Sequence, residues 1–252
     1  MTMGLIQGIP LSTATRSAWR GASDDIKIIR MRDDDQGYED ILDALQVTTI
    51  LNYGSRRSMF NEGELGMPVI NPAEVVRITS DRAKFEAAMG ELAPTDRPDG
   101  MLDGEFYRKV WLKGPGRGGH NKLQLELEGQ ILEVPDGWTV QRHVEGEEWR
   151  INTANNLVVQ SHRQVGDPDD PFARDYMWVG VTHTPLHIRE LAKAGVKALT
   201  EAAGTSSPTV LAWDIIANED EAWILEANTA PGMNNATASR TLGVLLVESS
   251  LR

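Results

Sequence analysis

The residues best placed to do chemistry lie in one stretch, LAWDIIANEDEAWILEANTAPGM, which runs from residue 211 to residue 233 and contains Asp214, Glu226 and Asn228. Segments 209–216 and 222–228 are apolar or β-branched, and the polar run Asn218-Glu219-Asp220-Glu221 between them reads as a hairpin turn. Pairing residue 218 with residue 222 across that turn sets Asp214 directly opposite Glu226. Opposed residues have Cβ atoms roughly 4.5–5.5 Å apart, so two like charges there destabilise the hairpin unless something cancels them. Strand alternation puts Asn228 on the face of Glu226 and adds a carbonyl oxygen. An all-oxygen set of this kind suits Mg²⁺ or Mn²⁺. The competing reading is a surface hairpin whose acids face water, and a one-residue change of register would separate the pair.

Such a hairpin needs a core to hold it. A chain of 252 residues can bury one large core or two small ones, which predicts two unequal lobes. The net charge of −12 argues against nucleic acid as a partner, because no basic patch interrupts it. The absence of cysteine excludes disulfides, zinc–thiolate sites and thiol catalysis. No run of 18 apolar residues occurs and the N-terminus has no basic, then apolar, leader pattern, so the expectation is a cytoplasmic protein without a membrane partner.

Short apolar runs at 26–31, 47–51 and 68–70, with a predicted helix at 37–45, have the rhythm of a small α/β layer ending near residue 77. Ser80 or Asp81 then caps a helix, and 94–100 (PTDRPDG) reads as a linker. From about residue 105 the pattern is β: strands are expected at 106–113, 122–127, 138–144, 149–153 and 156–160. The loop 114–121 (GPGRGGHN) between the first two offers unobstructed backbone N–H groups, which can close over phosphates or serve only a tight turn. Residues 186–203 form the clearest helix, with Ile188, Leu191, Ala192, Gly195, Val196 and Leu199 on one stripe and Gly204 as its stop.

In order along the chain stand a strand ending in Lys113, a Gly-rich loop, the run VQRHVEGEEWR (140–150), Arg163 after a strand, a long helix, Asp214, and EANTAPGM (226–233). This order resembles the ATP-grasp superfamily, and the last run is close to its Glu-x-Asn-x-x-Pro-Gly signature. The pattern is nearest to the glutathione-synthetase-like and ribosomal-protein-modifying glutamate ligase branch. The resemblance covers about residues 78–245. It implies an α+β fold in which two lobes clasp ATP, divided near residue 145, preceded by a small α/β domain over residues 1–77.

Carried over, the resemblance implies ATP and Mg²⁺ (or Mn²⁺) as cofactors. Lys113 and the loop glycines Gly116, Gly118 and Gly119 would meet the phosphates, the stretch Gln141, Arg142 to Val144 the adenine, and Glu148 the ribose. Arg163 would meet the γ-phosphate or an acyl phosphate, and Asp214, Glu226 and Asn228 would ligate the metal. Arg150, on the strand face of Glu148, receives a substrate carboxylate or pairs with an acidic neighbour. The implied activity is a carboxylate–amine ligase working through an acyl phosphate, with a small-molecule or peptide carboxylate and an amine acceptor as partners and a homodimer as the family's frequent assembly. A small-molecule kinase and a non-catalytic nucleotide-binding or structural protein are the alternatives. The chain departs from the pattern at Arg142, where an acid is common, and at Arg82, where a lysine is common. Arg56 and Arg57, after the run 47–51, read as solvated turn residues or as a carboxylate reader.

Overall fold

The computed structural model describes residues 2–8, 10–31, 37–61, 63–94, 101–102, 105–106, 109–114, 122–126, 134–136, 138–166 and 177–250. The first layer is a parallel sheet of β1 (Met3–Gln7), β2 (Ile26–Arg30), β3 (Thr49–Tyr53) and β4 (Val69–Ile70) in the order β2-β1-β3-β4. Parallel neighbours need crossover segments, which α1 (Thr13–Ala22) and α2 (Tyr38–Ala44) supply. Ser12 caps α1 by accepting from the Thr15 N–H at 3.1 Å, and Thr15, Ala18 and Trp19 form its buried face.

Neither β1 nor α1 stands out in the sequence, yet β1 lies at the centre of this sheet and is buried along its whole length. Gly4 interrupts its apolar signal. A Cβ at Gly4 would lie 3.0 Å from Val47 Cγ1, so the missing side chain reflects close packing.

α3 (Ala73–Ser80) and α4 (Arg82–Met89) lead to a ribbon of β5 (Met101–Leu102) and β6 (Glu105–Phe106). A three-stranded antiparallel sheet follows, with β7 (Lys109–Lys113) between β8 (Lys122–Glu126) and β9 (Thr139–Arg142). The largest sheet is antiparallel and runs β12-β11-β10-β13-β14, built from β10 (Glu147–Ala154), β11 (Leu157–Val165), β12 (Met177–Val181), β13 (Val210–Ala217) and β14 (Ala222–Asn228). Its last link before β13 is α5 (Leu186–Ala202), within one residue of the predicted helix. α5 buries Ile188, Ala192, Val196 and Leu199 against Trp149, Ile151, Trp213 and Ile224. A Cβ on Gly195 would lie 2.6 Å from Ile224 Cδ1, so this glycine sets how closely helix and sheet approach.

The expected boundary at residue 77 falls inside α3, whose Val75 and Ile78 belong to the core under the large sheet. The chain also returns at its end: α6 (Asn235–Ser250) packs Ala238, Leu242 and Leu245 against Met3, Leu5 and Trp19 of the first layer. Asn71 joins the two layers. It is fully buried with φ 56°, its amide donates to the carbonyls of Val210 (2.9 Å), Thr229 (3.2 Å) and Asn52 (3.3 Å), and its Oδ1 accepts from the Val210 N–H (2.8 Å). Among the described residues, no helix is long and apolar enough to cross a membrane.

Candidate functional site

One face of the large sheet carries α5, and the other gathers the polar residues. Asp214 pairs directly with Glu226, and Ala212 with Asn228, so Asp214, Glu226 and Asn228 share the face away from α5. The route to this register differs from the predicted one. The turn is held by Asn218, whose N–H donates to the Glu221 carbonyl (2.9 Å) and whose Oδ1 accepts from the N–H groups of Asp220 (3.0 Å) and Glu221 (2.8 Å). That turn pairs Ala217, not residue 218, with Ala222, and the offset persists through Ile215 opposite Ile224. A β-bulge at Leu225 then shifts the register by one and restores Asp214 opposite Glu226. With a regular ladder Asp214 would oppose Leu225, and Glu226 would turn toward α5.

Two facing carboxylates call for a counter-charge, and Arg150 supplies part of it. Arg150 stands opposite Asp214 on the neighbouring strand and grips it with two bonds, Nε to Oδ1 at 2.7 Å and Nη2 to Oδ2 at 2.8 Å. The acidic neighbour expected as one of the two partners of Arg150 is therefore Asp214. The Arg150 guanidinium also lies 4.6 Å from the centroid of the Trp178 ring. Asp214 is 9% exposed, and burial pushes its carboxyl up to about 6, with Glu226 adding to the rise and Arg150 opposing it.

A divalent cation suits this donor set. Among the described residues no three His, Cys, Asp or Glu side chains converge as a metal group, so the set is two carboxylates and one amide oxygen. Glu226 and Asn228 are partly open, and Asp214 retains lone pairs beyond those used by Arg150. Mg²⁺ commonly takes one or two carboxylates and completes its shell with phosphate oxygens and water.

Arg163 is not brought to this face. It pairs with Trp149, which is buried on the α5 side, and its Nη1 meets Glu147 Oε1 at 3.0 Å. The phosphate contact expected of Arg163 would thus have to be made from the α5 side, away from Asp214, Glu226 and Asn228. Alternation decides the matter, and it is His162 that faces Arg150 across the ladder. Burial, then Arg150, holds the His162 imidazole below its usual range.

Lys113, at the end of β7, is only 5% exposed, and its Nζ donates to Gln141 Oε1. Gln141 Nε2 donates in turn to Glu86 Oε1 at 3.0 Å, as does the Thr139 hydroxyl at 3.0 Å. Both polar ends of the Gln141 side chain are thus used internally, and at 1% exposure it is withdrawn from solvent. Burial raises the Glu86 carboxyl above its ordinary range, against the pull of Thr139, Lys113, Arg82 and Gln141. Glu86 is a residue that motif reading passes over. The available signal was its place on α4 beside Phe85 and one turn from Met89, the two apolar residues that the helix buries.

Arg142 points to the other face of β9, with its guanidinium 4.6 Å from the centroid of Trp223, so β9 and the tip of the β13–β14 hairpin touch here. The Arg142 N–H donates to the Pro94 carbonyl at 3.1 Å. Val144 is buried, and Glu148 is exposed on the face of Arg150, opposite Ile216. Gly116, Gly118 and Gly119 lie outside the described residues. In the first layer Arg57 stacks 5.5 Å from the Tyr38 centroid, beyond a turn in which Asn52 bonds both the carbonyl and the N–H of Ser55 at 2.8 Å. At the start of α6, Asn234 caps Thr237, whose hydroxyl donates to Gln160 on β11.

No protein-family model matches the chain, and no curated protein sequence matches it significantly. Solved structures do. D-alanine–D-alanine ligase from Bacillus anthracis in complex with ATP is similar over 100% of this chain and 98% of its own, at 15% identity and TM-score 0.61. D-cycloserine synthetase DcsG is similar over 98% and 99%, at 14% identity and TM-score 0.62. A RimK domain protein, an ATP-grasp from Sphaerobacter thermophilus, is similar over 97% and 100%, at 13% identity and TM-score 0.60. At these identities the likeness is one of fold, and the chain has the ATP-grasp fold.

Proposed function

We propose that this chain, with its ATP-grasp fold, is an ATP- and Mg²⁺-dependent ligase that joins a carboxylate to an amine through an acyl phosphate. The observation that carries the proposal is the cluster of Asp214, Glu226 and Asn228 on one sheet face, because two adjacent carboxylates with a carbonyl oxygen suit a cation that itself carries phosphate. An amino acid, peptide or protein terminus is the proposed substrate class, in keeping with the ligase and synthetase named among the similar structures.

Bringing a carboxylate to a triphosphate sets anion against anion, so alignment and charge cancellation dominate over proton transfer. In this reading Glu226 and Asn228, with Asp214 behind them, hold the cation, which when bound neutralises phosphate oxygens. Lys113 supplies fixed positive charge from β7. Arg150 keeps Asp214 ionised and oriented, and its face under Trp178 borders the place where a substrate would lie. The backbone from Gln141 to Val144 meets the adenine, because the Gln141 side chain is already engaged.

Differential melting tests the reading. Wild type should gain several degrees with Mg²⁺ and a non-hydrolysable ATP analogue together, and Glu226→Ala should gain none; full retention in the variant sinks the metal assignment. Hydroxylamine trapping during turnover with amino-acid and peptide mixtures then separates a ligase, which yields a hydroxamate, from a kinase, which does not. A non-catalytic nucleotide binder is the second reading, favoured by the grip of Arg150 on both Asp214 oxygens. Hydroxamate formation would dismiss it.

A further inference from the structure

On α4 two opposite charges, Arg82 and Glu86, stand four residues apart and so on one side of the helix, and Glu86 meets the three-stranded sheet at Thr139 and Gln141. Glu86 is 6% exposed, whereas carboxylates are seldom buried unless paired. An apolar residue at position 86 would simply extend the packing of Phe85 and Met89. The carboxylate is instead built into a relay. Its Oε1 accepts from Thr139 and Gln141, each at 3.0 Å, and the Gln141 carbonyl oxygen accepts from Lys113. Arg82 and Lys113 both act electrostatically on Glu86. Among the described residues, the Nε of Arg82 is buried and has no hydrogen-bond partner. Two cations converge from α4 and β7, and the one carboxylate bonded into this relay is Glu86.

We propose that Glu86 is an internal counter-anion for Lys113 and Arg82, holding these cations in place until nucleotide phosphates take over the role. The inference rests on the nucleotide reading of Lys113 given above and deepens it. Glu86 is a positioning residue, acting on the nucleotide through Gln141 and the two cations. It carries two consequences. Without ligand its charge offsets Lys113 and Arg82 and holds them in place, although burial, which raises its carboxyl above the ordinary range, costs the fold more than these partners return. With ligand the same charge repels the phosphates, so nucleotide affinity is set below what the two cations alone would give.

Glu86→Gln separates these effects, because the amide keeps an acceptor oxygen for Thr139 and Gln141 and removes only the charge. The ligand-free variant should melt at or slightly above wild type, because the buried charge is gone while its hydrogen bonds remain. Its dissociation constant for the Mg²⁺ complex of a non-hydrolysable ATP analogue, measured by calorimetry at low salt, should be about fivefold tighter. A variant that is less stable and binds equally or more weakly would overturn the proposal, since a merely structural carboxylate predicts that pattern. If the single variant does not fold, Glu86→Gln combined with Arg82→Gln restores the charge balance and should recover a folded protein. Failure of the double variant to recover also overturns the proposal. Wild type that binds no analogue would instead overturn the nucleotide reading, and the counter-anion with it.

Discussion

The acidic face of the large sheet and the Lys113 cluster of the small sheet both bury charge, and they are assembled in different ways. Asp214, Glu226 and Asn228 come from one hairpin spanning fifteen positions of sequence, and Arg150 joins them from the adjacent strand. Lys113, Gln141 and Glu86 come from β7, β9 and α4, three elements far apart in the chain. The acidic face leaves Glu226 and Asn228 partly open, whereas Lys113, Gln141 and Glu86 are each less than a tenth exposed. Open oxygens suit exchange of a cation with solvent. A closed hydrogen-bonded relay suits a pocket that must keep its shape while empty.

The sharpest way to test this contrast is to empty the acidic face. Glu226→Ala leaves Asp214 without the carboxylate that faces it. Stabilisation by Mg²⁺ and an ATP analogue, about 2.7 kcal/mol at 100 times the dissociation constant, should vanish. Deleting Leu225 should instead spare it, because the turn register then runs on through the strand and Glu226 takes the place opposite Asp214 without a bulge. Loss of stabilisation in a folded deletion variant would show that the bulge itself is needed.

Next in size is a pH effect confined to the acidic face. The Asp214 carboxyl is raised from 3.8 to about 6 in the folded protein, so the native state binds the extra proton between those values. Its contribution to stability is therefore full below about pH 4 and lost as pH rises through 6, by at most roughly 3 kcal/mol. Urea unfolding in the presence of a chelator should show this fall in wild type and a flatter profile in Asp214→Asn. Parallel profiles would place the titration elsewhere.

The closed relay should answer to a neutral change. Gln141→Leu removes the acceptor of Lys113 and a donor to Glu86, both charged partners, and should destabilise the protein by about 2–3 kcal/mol. Denaturant midpoints at constant slope would measure it, and a loss under 0.5 kcal/mol would mean that water replaces the amide. The smallest effect belongs to Arg163→Ala. Its ion pair with Glu147 is exposed and lies on the α5 face, so stability should change by less than about 0.5 kcal/mol and analogue binding not at all. Weakened analogue binding would return Arg163 to the nucleotide site.

These effects follow how much of each region was readable beforehand. Period-two alternation and turn residues placed the 209–228 hairpin, and the 3.6-residue stripe placed α5 to within a residue. Arg163 was placed by the resemblance alone, and only the ladder shows it opposite Trp149 on the α5 face. β1 and α1 escaped notice because Gly4 breaks a run of only five residues, although that glycine is what lets β1 pack against Val47.

The sequence by itself determined the acidic hairpin, the long helix α5 and the absence of cysteine chemistry, since each depends on neighbours in the chain or on composition. Tertiary structure decided the rest. It chose Arg150 over Arg163 as the arginine on the acidic face, it recovered the Asp214–Glu226 pairing through a bulge, and it brought Glu86 to Lys113 across 27 positions. The physical reason is that local periodicity assigns a residue to a face, whereas the burial of a charge depends on partners arriving from other elements.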